Sequence, residues 1–73
     1  MKPLTPAQQR VVDVMKVNGV IIMQDLVNGG FGYVGHSRYI NQVVVSKMIK
    51  ESIILYYKGT NAVSFYTLSP EYA

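Results

Sequence analysis

A chain of 73 residues has room for one domain, residues 1–73, and too little bulk to enclose a large substrate pocket; with no cysteine it holds no disulfide and no thiolate metal site. Its stability must come from apolar packing, which a 49% hydrophobic composition can supply. The net charge of +3 suits an anionic partner without demanding one, and 15% charged residues, against about 25% in typical domains, is a lean supply for a nucleic-acid binder.

The first predicted element is a helix. Thr5 is a good N-cap, Pro6 suits the first helical position, and Gln8 completes a capping-box pattern with Thr5. Ala7, Val11, Val14 and Met15 keep helical spacing, and Gly19 can end the helix in a left-handed cap. Val20-Ile21-Ile22-Met23 is short, apolar and β-branched, which predicts a brief buried strand. Gln24-Asp25-Leu26-Val27-Asn28 has the composition of a short second helix, stopped by Gly29 and Gly30. Four glycines between 29 and 35 predict a loop or wide turn.

A third helix is expected from His36-Ser37, with Ser37 as N-cap and Ile40, Val44 and Met48 as its core stripe, ending near Glu51 or Ser52. The last third predicts a hairpin. Ile53–Tyr57 is β-branched and aromatic, Lys58-Gly59-Thr60-Asn61 is a turn, and Ala62–Leu68 returns with alternating residues. No internal repeat, linker, signal-like segment or membrane-length apolar run is visible, so a cytoplasmic protein is the expectation.

The order helix, strand, helix, turn, helix, strand, turn, strand resembles the winged helix-turn-helix transcription regulators. Leu4-Thr5-Pro6-Ala7-Gln8 is similar to the opening of their first helix, Asp25-Leu26-Val27 to their second, and Ser37-Arg38 to the start of their recognition helix. Lys47 to Ile54 resembles the helix exit into the wing. The turn between Asp25 and Ser37 is about four residues longer than the compact family pattern, and Ser52 stands where glycine is usual. The fold implied is α+β: three helices, a short first strand and a C-terminal β-hairpin wing.

That resemblance implies duplex DNA binding, with the third helix in the major groove and the wing on the backbone. The residues it would use are Ser37, Arg38, Tyr39, Asn41, Gln42, Ser46, Lys47 and Lys50 on the helix, and Lys58, Thr60 and Asn61 on the wing. Arg can bond guanine, and Asn or Gln adenine, while lysines suit phosphates. Residues 37–58 carry four cations against Glu51 alone, a local +3 equal to that of the whole chain. Val43, however, is aliphatic on the side that would face DNA, and an apolar residue there suits a protein better. In size, lean charge and Val43 the chain is similar in character to small phage-encoded regulators that bind host RNA polymerase. On that alternative Phe31, Tyr33, Tyr39, Val43, Tyr56 and Tyr57 would make the contact. Either way the chain is expected to be a monomer or a weak dimer.

Other patterns carry less. Gly30 to Gly35 fits G-x-G-x-x-G, but a dinucleotide site needs a strand before it, a helix after it and a parallel sheet. Gly30-Phe31-Gly32-Tyr33-Val34 resembles a base-stacking RNA-recognition strand, yet Gly29 stands where a basic residue is expected. His36 is the one histidine, and Asp13, Asp25, Glu51 and Glu71 are scattered. No nucleophile–base set or paired carboxylates emerge, so neither an enzyme nor a cofactor or metal is expected.

Overall fold

A computed structural model describes residues 3–36 and 39–73. The chain forms α1 (Pro6–Asn18), β1 (Ile22–Asp25), β2 (Phe31–Tyr33), β3 (Tyr39–Ile40), α2 (Gln42–Lys50), β4 (Ile54–Gly59), β5 (Val63–Leu68) and a closing 3-10 turn at Pro70–Tyr72. The strands make one antiparallel sheet in the order β3-β2-β1-β5-β4.

The first helix is built as its sequence dictates. The Thr5 hydroxyl accepts from the Gln8 amide at 3.2 Å and the Gln8 side chain accepts from the Thr5 amide at 3.1 Å. Pro6 occupies the first turn, where its missing N–H is not needed, and Gly19 closes the helix at φ 61°. Val11, Val12 and Met15 face the core. Gln8 is buried beside them, and its Nε2 donates to Glu51 Oε1 at 3.1 Å, tying α1 to the end of α2.

The middle of the chain differs from the expected three-helix, winged arrangement. Among the described residues there are two helices, and the sheet has five strands. Gln24 and Asp25, assigned above to a second helix, belong to β1, which pairs with β2 on one side and β5 on the other. Pairing on both edges satisfies their backbone groups better than an uncapped turn of helix would. Leu26 to Asn28 form a turn, because the Asp25 carboxylate accepts from the Val27 amide at 2.9 Å and the Asn28 amide at 3.0 Å. The bonds from the Asn28 amide and side chain, with that from the Val27 amide, lower the Asp25 carboxyl pKa.

The glycine-rich segment is likewise a strand rather than a loop. Phe31 and Tyr33 point to the same face, with Gly32 between them, and the glycines take the reversals at either end: Gly29 at φ 81°, Gly30 at φ 95° and Gly35 at φ 85°.

The expected third helix begins later than predicted. Tyr39 and Ile40 form β3, and Asn41 is the N-cap, its Oδ1 accepting from the Val43 amide at 2.9 Å and the Val44 amide at 3.4 Å. The predicted cap, Ser37, lies outside the described residues, as does Arg38. The core stripe of α2 is accordingly Val45 and Met48, with Val44 and Ile49 half-buried beside them; Ile40 packs on the core from β3. The C-terminal hairpin forms where expected, with a bulge at Tyr56–Lys58.

Both helices and the closing turn lie on one face of the sheet. There Val11, Val12, Met15, Val45, Met48 and Tyr72 pack against Ile22, Phe31, Ile53 and Ile54. The chain leaves α2 through a Schellman motif: Ile53 N donates to Met48 O at 2.9 Å and Ser52 N to Ile49 O at 3.1 Å. Ser52 sits at φ 59°, a left-handed conformation that glycine adopts without strain. Ser52→Gly is therefore expected to stabilise the domain by about 0.5–1 kcal/mol, the left-handed strain relieved less the extra backbone entropy of glycine. Urea unfolding of the two proteins checks this, and an unchanged midpoint refutes it. The opposite holds at Gly59, where a Cβ would stand 2.8 Å from Val63 O. Since backbone must shift to make room, Gly59→Ala should cost about 1–3 kcal/mol, measurable in the same experiment.

Candidate functional site

In an antiparallel sheet directly paired residues share a face, and neighbours along a strand alternate. The register therefore sorts every strand residue. Ile22, Gln24, Phe31, Tyr33, Ile40, Ile54, Tyr66 and Leu68 face the helices. The opposite face carries a row Tyr39–Gly32–Met23–Phe65–Lys58, running across all five strands. Beside it lie the Leu55–Thr67 pair and, by alternation, Ile21, whose carbonyl accepts from the Val34 amide. On the other side is the Asp25–Val63 pair.

No residue of this second face belongs to the buried cluster, and the helices pack on the other side of the sheet. It is the open face of the sheet, with Val34, Tyr39 and Leu55 exposed and Ile21, Met23, Val63 and Phe65 half-buried. Its strand residues include one cation, Lys58, and one anion, Asp25. Lys58 Nζ stands 5.3 Å from the ring centroid of Tyr57 and 6.0 Å from that of Phe65, so its charge is held over two rings at one end of the patch. At the other end Tyr39, 71% exposed, lies against Gly30, with a ring atom 3.3 Å from where a Cβ would stand. A side chain on Gly30 would push that ring outward, which gives the glycine a second reason beyond its positive φ.

The residues expected to bind DNA divide between the two sides of the molecule. Gln42, Ser46, Lys47 and Lys50 are exposed on α2, on the helix side, where Ser46, Lys47, Lys50 and Glu51 share one shallow depression. Lys58 is on the open face with Phe65, across the sheet from them. Asn41 has its carbonyl oxygen committed to the helix cap, and Tyr39 belongs to β3 rather than to the helix. Thr60 uses its hydroxyl to accept from Ala62 N at 3.1 Å and Val63 N at 3.3 Å, shaping the hairpin tip where Asn61 is exposed.

The residues expected to bind protein also divide. Phe31 is buried and Tyr33 half-buried on the helix side, where burial raises the Tyr33 hydroxyl pKa. Tyr56 is exposed but turned toward the helix side, its ring edge-on to Tyr66 at 6.0 Å. Val43 is exposed on α2. Tyr39 and Tyr57 alone of that set border the open face. Sequence reasoning passed over Ile21, Met23, Val34, Leu55, Val63 and Phe65. The alternation of Val63, Phe65 and Thr67 with Ser64, Tyr66 and Leu68 was the available signal: both sets are largely apolar, as in a strand with two faces to cover.

The chain matches no family model, no curated protein and no solved structure. Its site is therefore argued from its own geometry. Among the described residues no group of three His, Cys, Asp or Glu side chains could hold a metal ion, and no helix is long and apolar enough to cross a membrane. The open face offers apolar area, three rings and one cation, which is equipment for binding.

Proposed function

We propose that this chain is a non-catalytic regulator that acts by docking a protein partner on its open sheet face. The observation that carries the reading is the face turned away from the helices: the register puts Ile21, Met23, Tyr39, Leu55 and Phe65 on it, Tyr39 and Leu55 exposed and the others half-buried, on a small domain. Large exposed apolar patches on soluble domains mark interaction sites, and with strands of two to six residues across five positions this one covers on the order of a few hundred Å². A stable interface buries about 800 Å² on each side. Two copies meeting face to face would fall short of that, so a larger partner that reaches beyond the patch fits better than a self-dimer. Transcription is the setting suggested by the likeness to small phage regulators, and bacterial RNA polymerase is the partner to test first.

The test is retention of purified, nuclease-treated bacterial RNA polymerase on immobilised chain, beside a gel-shift titration with mixed-sequence duplex DNA. The expected result is polymerase retained with little loss as salt rises, and no shift of DNA at low salt. Duplex binding that weakens with a log–log slope near −0.9 per phosphate, and that is lost in a Lys47→Ala, Lys50→Ala double variant, would replace protein docking with DNA binding.

A further inference from the structure

Around the β3 edge from the open face, a shallow groove of about 460 Å³ runs between α1 and the β3–α2 junction. Its α1 wall is Ala7, Arg10, Val11 and Val14, spaced to lie on one helical face. Its other wall includes Ile40, Asn41 and Val44. The volume lies within the range of about 300–1,000 Å³ typical of ligand sites, and the lining is mainly aliphatic.

The polar groups of the groove point to one kind of occupant. Arg10 is the only charged residue of the lining, and it makes no side-chain hydrogen bond or ion pair among the described residues. Asn41 spends its carbonyl oxygen on the amides of Val43 and Val44, so its Nδ2 group is the part of the side chain left to donate. Tyr33 and Tyr39 also line the groove, and their hydroxyls can donate or accept; the one charge is the Arg10 guanidinium, which over a mainly aliphatic floor favours an apolar group carrying a carboxylate. We propose that this groove takes an acidic–aliphatic segment of a partner protein, with leucine-like side chains on the half-buried Val14, Ile40 and Val44 and a carboxylate on Arg10. The inference rests on the protein-docking reading. It supplies what the open face lacks: Tyr39 belongs to both surfaces, so a partner seated on the face can extend over the short β3 edge and add contact area.

The experiment uses the full chain, labelled with ¹⁵N, and two capped hexapeptides: Glu-Asp-Leu-Leu-Asp-Glu and Lys-Lys-Leu-Leu-Lys-Lys. The acidic peptide should shift the amide signals of Ala7, Arg10, Val14, Ile40 and Val44, and bind roughly tenfold tighter than the basic one. Arg10→Gln should weaken it about fivefold, the upper range for an exposed ion pair, and Arg10→Glu should reverse the preference. Arg10 is exposed, so unchanged signal dispersion in the variants verifies their fold. Equal binding of both peptides, or no shift at millimolar acidic peptide, overturns the proposal. Shifts confined to Met23, Leu55 and Phe65 overturn it too, while leaving docking on the open face standing. Conversely, groove binding together with failure of every partner to contact the open face would sink the docking reading and spare the groove.

Discussion

Phe31→Ala is expected to cost the domain about 3–5 kcal/mol, the range for deleting a buried aromatic side chain. A 73-residue domain at the usual 0.05–0.15 kcal/mol per residue has roughly 4–11 kcal/mol to lose, so the variant should be largely unfolded or close to it at 37 °C. The reason is position. Phe31 is 3% exposed, pairs with Gln24 and Ile40 across the sheet, and sets its ring 6.5 Å from that of Tyr66. Tyr57→Ala is the control, since that ring is more than half exposed and should cost less than about 1 kcal/mol. Circular dichroism with urea unfolding reads both. A Phe31→Ala midpoint as mild as that of Tyr57→Ala would mean that residues 31–33 are the surface loop their glycines first suggest, and the five-stranded sheet would be wrong.

The contrast shows which parts of this fold are local. The first helix and the last hairpin are written in adjacent residues: a capping box at Thr5 and Gln8, a left-handed glycine at 19, and β-branched runs either side of Gly59. The middle third depends in part on a partner far along the chain. Gln24 and Asp25 look helical by composition, but β1 pairs with the nearby Phe31–Tyr33 on one side and with Val63–Tyr66 on the other, and no window of neighbours contains the second pairing. Asp25 did carry a local clue, since an aspartate three residues before Asn28 and two glycines is better suited to capping a turn than to starting a helix. Ser37 and Asn41 are both sound N-caps. The later one is used because Tyr39 and Ile40, good β-formers, gain a pairing with Gly32 and Phe31 that a helix would forfeit.

The same misplacement hid the candidate site. With a helix and a loop assigned to residues 24–35, the C-terminal hairpin has one sheet neighbour at most, and Gly32, Val34 and Tyr39 are not placed on a surface with Met23 and Phe65. Once β2 and β3 join the sheet, alternate residues of five strands fall on one side, and the apolar set passed over as ordinary strand composition becomes a face. The cations followed the opposite course. They cluster in the sequence between 37 and 58, yet those described stand on two sides of the sheet, because Lys58 turns to the open face while Lys47 and Lys50 stay with α2.

Placing a charge at the centre of that face should remove partner binding and leave the domain folded. Met23 lies in the middle strand of the sheet, outside the buried core, between Gly32 and Phe65. Met23→Glu would oppose a carboxylate to the apolar surface of any protein seated there, and a central interface residue of this kind is worth 2 kcal/mol or more, about 30-fold in affinity. Tyr39→Ser removes a ring at the rim and should cost less, about 1 kcal/mol. Val43→Glu is the decisive companion. It is 76% exposed on α2, across the sheet, and belongs to the other surface suggested by the sequence. Its effect on polymerase retention should stay within about 0.5 kcal/mol. If Val43→Glu abolishes retention while Met23→Glu preserves it at equal stability, the partner sits on α2 and the open face is only a solvent-facing sheet.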